Sequence, residues 1–163
     1  MKICVLALFI ITFGFVTETF AQNTGKVINV IDGNTIEVVD EKSQIQKLMF
    51  AGIDCPEPGQ EYADKAKKFI EKLLLNKEVS WEIVGKDRWA NYLAVIKLKD
   101  DLDPRVELLK EGLAWTHEKN PLPELEVHRV KAQEKRKGLW KEESPVSPWI
   151  YRRQQSMMQA KSS

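Results

Sequence analysis

Asp54 and Glu57 stand three residues apart in Phe50-Ala51-Gly52-Ile53-Asp54-Cys55-Pro56-Glu57. The stretch opens as an apolar run, the pattern of a buried strand end. Pro56, which has no backbone N–H, stops further pairing. A carboxylate on a rigid strand end can ligate a hard cation through oxygen. One on the stiff turn that follows can take a proton from water as a general base. A solvated acidic turn with no chemistry has the same spacing, and these residues alone leave both readings open.

The surrounding pattern says what would hold the two acids. Gly25–Ile31 and Thr35–Val39 read as strands around the Asp32-Gly33-Asn34 turn, and Gln44–Ala51 as a third strand after a turn at 40–43. This is an antiparallel meander. Over Gln60–Leu75 the period changes: Tyr62, Ala66, Phe69, Ile70, Leu73 and Leu74 form one apolar helical stripe. Glu78–Val84 and Tyr92–Leu98 are two more strands, joined by a loop at 85–91. Pro104–Glu111 is a short helix opened by proline, and Glu124–Lys137 a charged helix closed by Gly138. Trp140, Trp149 and Tyr151 lie in a tail, Leu139–Arg153, expected to wrap the surface, and 154–163 is expected to fray. Five strands and about three helices predict an α+β domain on a small closed barrel of the oligonucleotide-binding (OB-fold) type.

The first 21 residues have the form of an export signal. Lys2 precedes the apolar run Ile3–Val16, and Thr19-Phe20-Ala21 supplies small residues for cleavage. The run is short for a bilayer span, so the expectation is an exported chain, periplasmic or secreted, with no stable membrane insertion after cleavage. One domain over 22–153 and a polar tail over 154–163 would follow. Without residues 1–21, 142 residues remain, with 24 basic and 23 acidic side chains. That balance does not announce the basic excess of a tight nonspecific nucleic-acid binder. Cys4 falls in the signal, which leaves Cys55 alone. A disulfide within the mature chain and a cysteine-built zinc site are both excluded, and a monomer with one shielded thiol is expected.

Five short motifs occur in order: Val30-Ile31-Asp32-Gly33-Asn34-Thr35, Ala51-Gly52-Ile53-Asp54-Cys55-Pro56-Glu57, Asp87-Arg88-Trp89-Ala90-Asn91, Glu111-Gly112-Leu113-Ala114-Trp115 and Lys137-Gly138-Leu139-Trp140. In these the chain resembles the staphylococcal-type thermonucleases, calcium-dependent phosphodiesterases on a five-stranded barrel. The resemblance spans roughly Gly25–Arg153, and it implies that the tail with Trp149 and Arg152 belongs to the domain. It also implies a site. Asp54 and the Cys55 carbonyl would ligate calcium, and Glu57 would activate water. The first metal aspartate falls on Asn34, which offers only a neutral oxygen, so calcium binding is expected to be weak or absent. The two phosphate-binding arginines fall on Met49 and Asn91, neither of which has a charged fork. Loss of one transition-state donor commonly costs ~10²–10³ in rate.

Substitutes are at hand. Lys47 lies on the same strand face as Met49, ~6–7 Å along the strand, and Arg88 sits in the loop before Asn91. Trp89 takes the place of an aromatic beside the nucleotide, where it would stack a base or pack on the barrel. His117 and His128 have no metal-type spacing and read as surface residues. The basic run Lys131, Lys135, Arg136 and Lys137 is interleaved with acids and reads as a solvated face. The expectation is a catalytically weakened or inactive nuclease homologue that binds single-stranded DNA, RNA or a protein partner. The alternative is an active calcium-dependent nuclease in which Lys47 or Arg88 replaces the arginines. A barrel that contacts only protein is the third class, mildly favoured by the near-zero net charge.

Overall fold

The computed structural model describes residues 23–162; the expected export signal lies outside the described residues. The first strand, β1 (Asn23–Val30), runs antiparallel to β2 (Thr35–Asp40), and β2 to β3 (Ile45–Phe50). After the two-residue β4 (Ile53–Asp54) and helix α1 (Ala63–Leu74) come β5 (Glu78–Lys86) and β6 (Tyr92–Leu98), paired as a hairpin. The barrel closes because β5 pairs with β1 and β6 runs parallel to β3, placing Met49 beside Leu93. Its order is β1-β2-β3-β6-β5. Alternation does the sorting. Val27, Val30, Ile36, Val38, Leu48, Phe50, Trp81, Ala94 and Ile96 point inward and are fully or almost fully buried. Met49, between two of these, is only half-buried and faces the other way.

Ala66, Ile70 and Leu74 of α1 enter the same core, with Tyr62, Phe69 and Leu73 packed partly buried against it. Helix α2 (Pro104–Lys110) starts on an Asp103 cap and adds Leu108 and Leu109. A two-residue strand, β7 (Trp115–Thr116), pairs with β4, and helix α3 (Pro123–Glu134) contributes Leu125. Gly112 and Gly138, both at positive φ, bring the ends of α2 and α3 together; a Cβ on Gly112 would lie 2.2 Å from the Lys137 carbonyl.

The tail departs from expectation in part. Residues 142–147 run without helix or strand and Trp140 is buried, but the polar end is not frayed: Pro148–Ser162 is a continuous helix, α4, that crosses the expected boundary at 153, and the α-helices among the described residues number four. Pro148 opens it, and straight-chain helix formers such as Arg, Gln and Met carry it on without Gly or a second Pro. Among the described residues no helix is long and apolar enough to cross a membrane.

Candidate active site

Asp54 is fixed from three sides. In the small sheet it sits opposite Trp115, and the His117 N–H donates to the Gly52 carbonyl at 3.2 Å. Beneath, Arg105 Nη1 donates to the Ala51 carbonyl at 3.0 Å. Above, the β1–β2 turn presses on Cys55: a Cβ on Gly33 would come within 2.7 Å of the Ala66 Cβ and 3.1 Å of the Cys55 Cβ. The free Cys55 thiol donates to the Gly33 carbonyl at 3.2 Å. Burial, helped by the neighbouring carboxylates, pushes that thiol well above its ordinary pKa, so it is an inert packing group.

The turn bearing Glu57 is tied to the C-terminal region. The Glu57 N–H donates to Gln60 Oε1 at 3.0 Å, and Gln60 Nε2 donates to the Val146 carbonyl just before α4. Helix α4 then delivers Arg152 to both acids. Its Nη1 and Nη2 donate to the two Asp54 oxygens at 3.2 and 2.7 Å, and Nη1 also donates to Glu57 Oε1. Burial raises the Asp54 carboxyl above its ordinary pKa by more than Arg152 lowers it. The Asp54 hydrogen bonds, against a desolvation penalty, raise the Arg152 pKa above its ordinary value. The helix is held by Trp149, edge-on to Trp115 at 5.6 Å, and by Arg153, 3.3 Å from Glu118.

Two adjoining hollows open on this pair, about 880 and 240 Å³, and share Asn34, Met49, Asp54, Asp87, Trp89 and Arg152. Glu57 and Lys47 line the smaller, Arg88 and His117 the larger. Met49 therefore faces the cleft. Asn91 lines the smaller hollow, but its amide is spent within the loop: Asp87 accepts from Asn91 Nδ2 at 2.9 Å, and from the Asn91 and Trp89 N–H groups at 2.9 and 2.8 Å. Trp89 is 63% exposed at the rim, with the Arg88 guanidinium 3.8 Å from its ring centroid. Trp89 lines both hollows and Arg88 the larger one, so the stacked pair belongs to the cleft wall. His128, near Lys110 and Lys131, is remote from it.

Sequence reading missed two residues that the fold brings to the cleft. His117 arrives through β7, a pairing too short to leave a periodic signal. Arg152 is 98 positions from Asp54 in the chain, and nothing local couples them.

Calcium, the ion implied by the resemblance, can be tested against these atoms. Asn34 Oδ1 is buried beside Asp54 with no hydrogen-bond partner, which suits a cation. Both Asp54 oxygens, however, are held by Arg152. Among the described residues no group of three or more His, Cys, Asp or Glu side chains is placed to bind a metal. Calcium takes six to eight oxygens, and with α4 docked the residues present do not fit it.

Comparison with known proteins places these features. The family described as "Staphylococcal nuclease homologue" matches residues 47–142. An "Uncharacterized endonuclease" of Escherichia coli is 32% identical over 129 residues, covering 78% of this chain and 84% of the relative. The "Thermonuclease" of Staphylococcus hyicus is 32% identical over 160 residues, covering 85% and 94%. The "Micrococcal nuclease" of Shigella flexneri is 26% identical over 145 residues, covering 82% and 83%.

Proposed function

The chain belongs to the staphylococcal nuclease family, and from that membership we propose that it is an exported barrel that holds a single nucleic-acid strand in the cleft and cleaves it weakly or not at all. One observation carries the reading. Met49 and Asn91, where the family resemblance expects arginines, line the smaller hollow with Asp54 and Glu57; Met49 is uncharged, and the Asn91 amide is committed to Asp87. Without a fork on the phosphate, charge building on its oxygens lacks its strongest partners. The binding apparatus is better preserved. Trp89 offers an exposed stacking face, and Lys47, Lys86 and Arg88 line the same hollows. Export rests on the residue pattern of 1–21, and N-terminal sequencing of the natural product is expected to begin near Gln22.

A second reading has its own observation. Lys47 lines the smaller hollow with Asp54 and Glu57, where a point charge can meet a phosphate. In that reading the protein is a slow nuclease dependent on Lys47.

One labelled single-stranded oligonucleotide separates the readings. Fluorescence anisotropy should show binding that weakens steeply with salt and falls in Trp89→Ala, with little cleavage on a gel. The triple variant Asn34→Asp, Met49→Arg, Asn91→Arg should gain at least ~10²-fold in calcium-dependent cleavage. Glu57→Gln in that background should remove the gain. Robust wild-type cleavage lost in Lys47→Ala establishes the second reading. Absence of salt-dependent binding sinks both in favour of a protein partner.

A further inference from the structure

The Arg152 guanidinium and a divalent cation have the same place to go. Arginine has five N–H donors, and three of its hydrogen bonds here end on Asp54 and Glu57, covering both Asp54 oxygens. Asn34 lines the same hollow, and its Oδ1, an oxygen of the kind calcium takes, is buried with no hydrogen-bond partner. A calcium ion on Asp54 would lie ~2.3–2.6 Å from its oxygens, within a few ångströms of the guanidinium carbon. Two cations at that spacing repel strongly wherever water is partly excluded. The guanidinium can leave by swinging its 37%-exposed side chain out to water or by a shift of α4, and either path gives up the three hydrogen bonds that tie the helix to the acids. Besides Arg152, the Trp149–Trp115 edge contact and the exposed Arg153–Glu118 pair tie α4 to the rim of the site.

We infer that Arg152 is a built-in counter-ion standing in the place of a divalent cation, so that docking of α4 and binding of calcium at Asp54 exclude one another. The inference rests on the reading above only in placing the cation site at Asp54; it does not require that nucleic acid binds. Its thermodynamic consequence is reciprocal. Calcium binds more weakly by the factor that Arg152 docking contributes, and bound calcium loosens α4 by the same factor.

Calcium chloride is titrated calorimetrically into the wild-type protein and into Arg152→Gln, Arg152→Lys and Lys161→Gln, each first checked for folding by circular dichroism. Arg152→Gln should bind at least ~10-fold more tightly than wild type, within the range usual for coupled sites. Arg152→Lys, a charge without the fork, should fall between them, and Lys161→Gln, which makes the same charge change farther along the helix, should match wild type. Hydrogen exchange reads the other side of the linkage. Amides of 148–162 should exchange faster in Arg152→Gln than in wild type, and faster in wild type with calcium bound than without. Equal calcium affinity in wild type and a folded Arg152→Gln overturns the inference, and so does no binding by either. Unchanged α4 exchange in calcium-bound wild type also overturns it. None of these readouts involves DNA, so a failed oligonucleotide experiment leaves the result standing.

Discussion

Two aspartate–arginine pairs lie on either side of the Ala51–Asp54 strand end, and they behave differently. Asp103 and Arg105 are two residues apart, and both side chains are 8% exposed. Arg105 Nε and Nη2 grip the Asp103 carboxylate at 3.0 and 2.8 Å, and Nη1 supports Ala51. Asp103 also caps α2 through the Arg105 N–H at 3.0 Å, with Lys97 nearby at 3.3 Å. Asp54 and Arg152 are 98 residues apart, and the arginine side chain is 37% exposed. Both pairs are forked, yet burial of Asp103 is outweighed by its partners and its pKa falls, whereas burial of Asp54 prevails and its pKa rises. The first pair is completed within the opening turn of α2. The second exists only while α4 is in place. A fork made locally serves as a structural fixture; one made at long range can be a contingent contact in a site.

Breaking the local pair should have the larger effect. Arg105→Ala leaves the buried Asp103 with only the residue-105 N–H and Lys97, and deprives the Ala51 carbonyl of its donor. Removing one member of a buried pair typically costs ~3–5 kcal/mol, and urea unfolding of the variant should lie in that range. A loss under ~1 kcal/mol would remove the distinction between the pairs. Arg152→Ala should cost about 1 kcal/mol or less in the same experiment, because an ion pair with so exposed a partner is screened by water and pays entropy to form. A loss as large as that of Arg105→Ala would make Arg152 a fixture too.

The same contrast explains what the sequence could tell. The barrel was legible because each strand alternates and each turn has its own residues; Ile36, Val38 and Leu48 report their faces without help from distant parts of the chain. Helix α1 was equally plain from Ala66, Ile70 and Leu74. Asp54 and Glu57 were legible as an acid pair because Pro56 fixes the turn between them. Their partner was not. Arg152 sits in a polar helix whose residues, Gln154 and Gln155 among them, look like a frayed tail when only hydrophobicity is weighed. The helix former's straight side chain was the available signal, and the Trp149–Trp115 contact that anchors it has no trace in spacing. Trp89 shows the limit from the other side. Its position in the loop after Asp87 was readable, but its exposure depends on how Asp87 folds that loop.

The smallest expected effect lies in the pH dependence, where the two aspartates should pull in opposite directions. Asp103 has a folded pKa below its ordinary 3.8. Its ionised form therefore favours the folded state, and this contribution is present above 3.8 and lost as pH falls through the folded value. Asp54 has a folded pKa above 3.8. Between 3.8 and that higher value the folded protein holds a proton that the unfolded chain has released, so stability should fall as pH rises through that window. Thermal unfolding from pH 2 to 7 should thus show an acid-side loss that is blunted in Asp103→Asn, while Asp54→Asn should remove a shallow decline just above it. Arg152→Gln sharpens the contrast. It strips Asp54 of the interaction that opposes burial, moving its pKa higher and extending the decline toward neutral pH. The acid-side loss from Asp103 should stay where it was. A decline that moves in the other direction would mean that Arg152 itself brings the desolvation that raises Asp54, and that the pair is dry because the helix covers it.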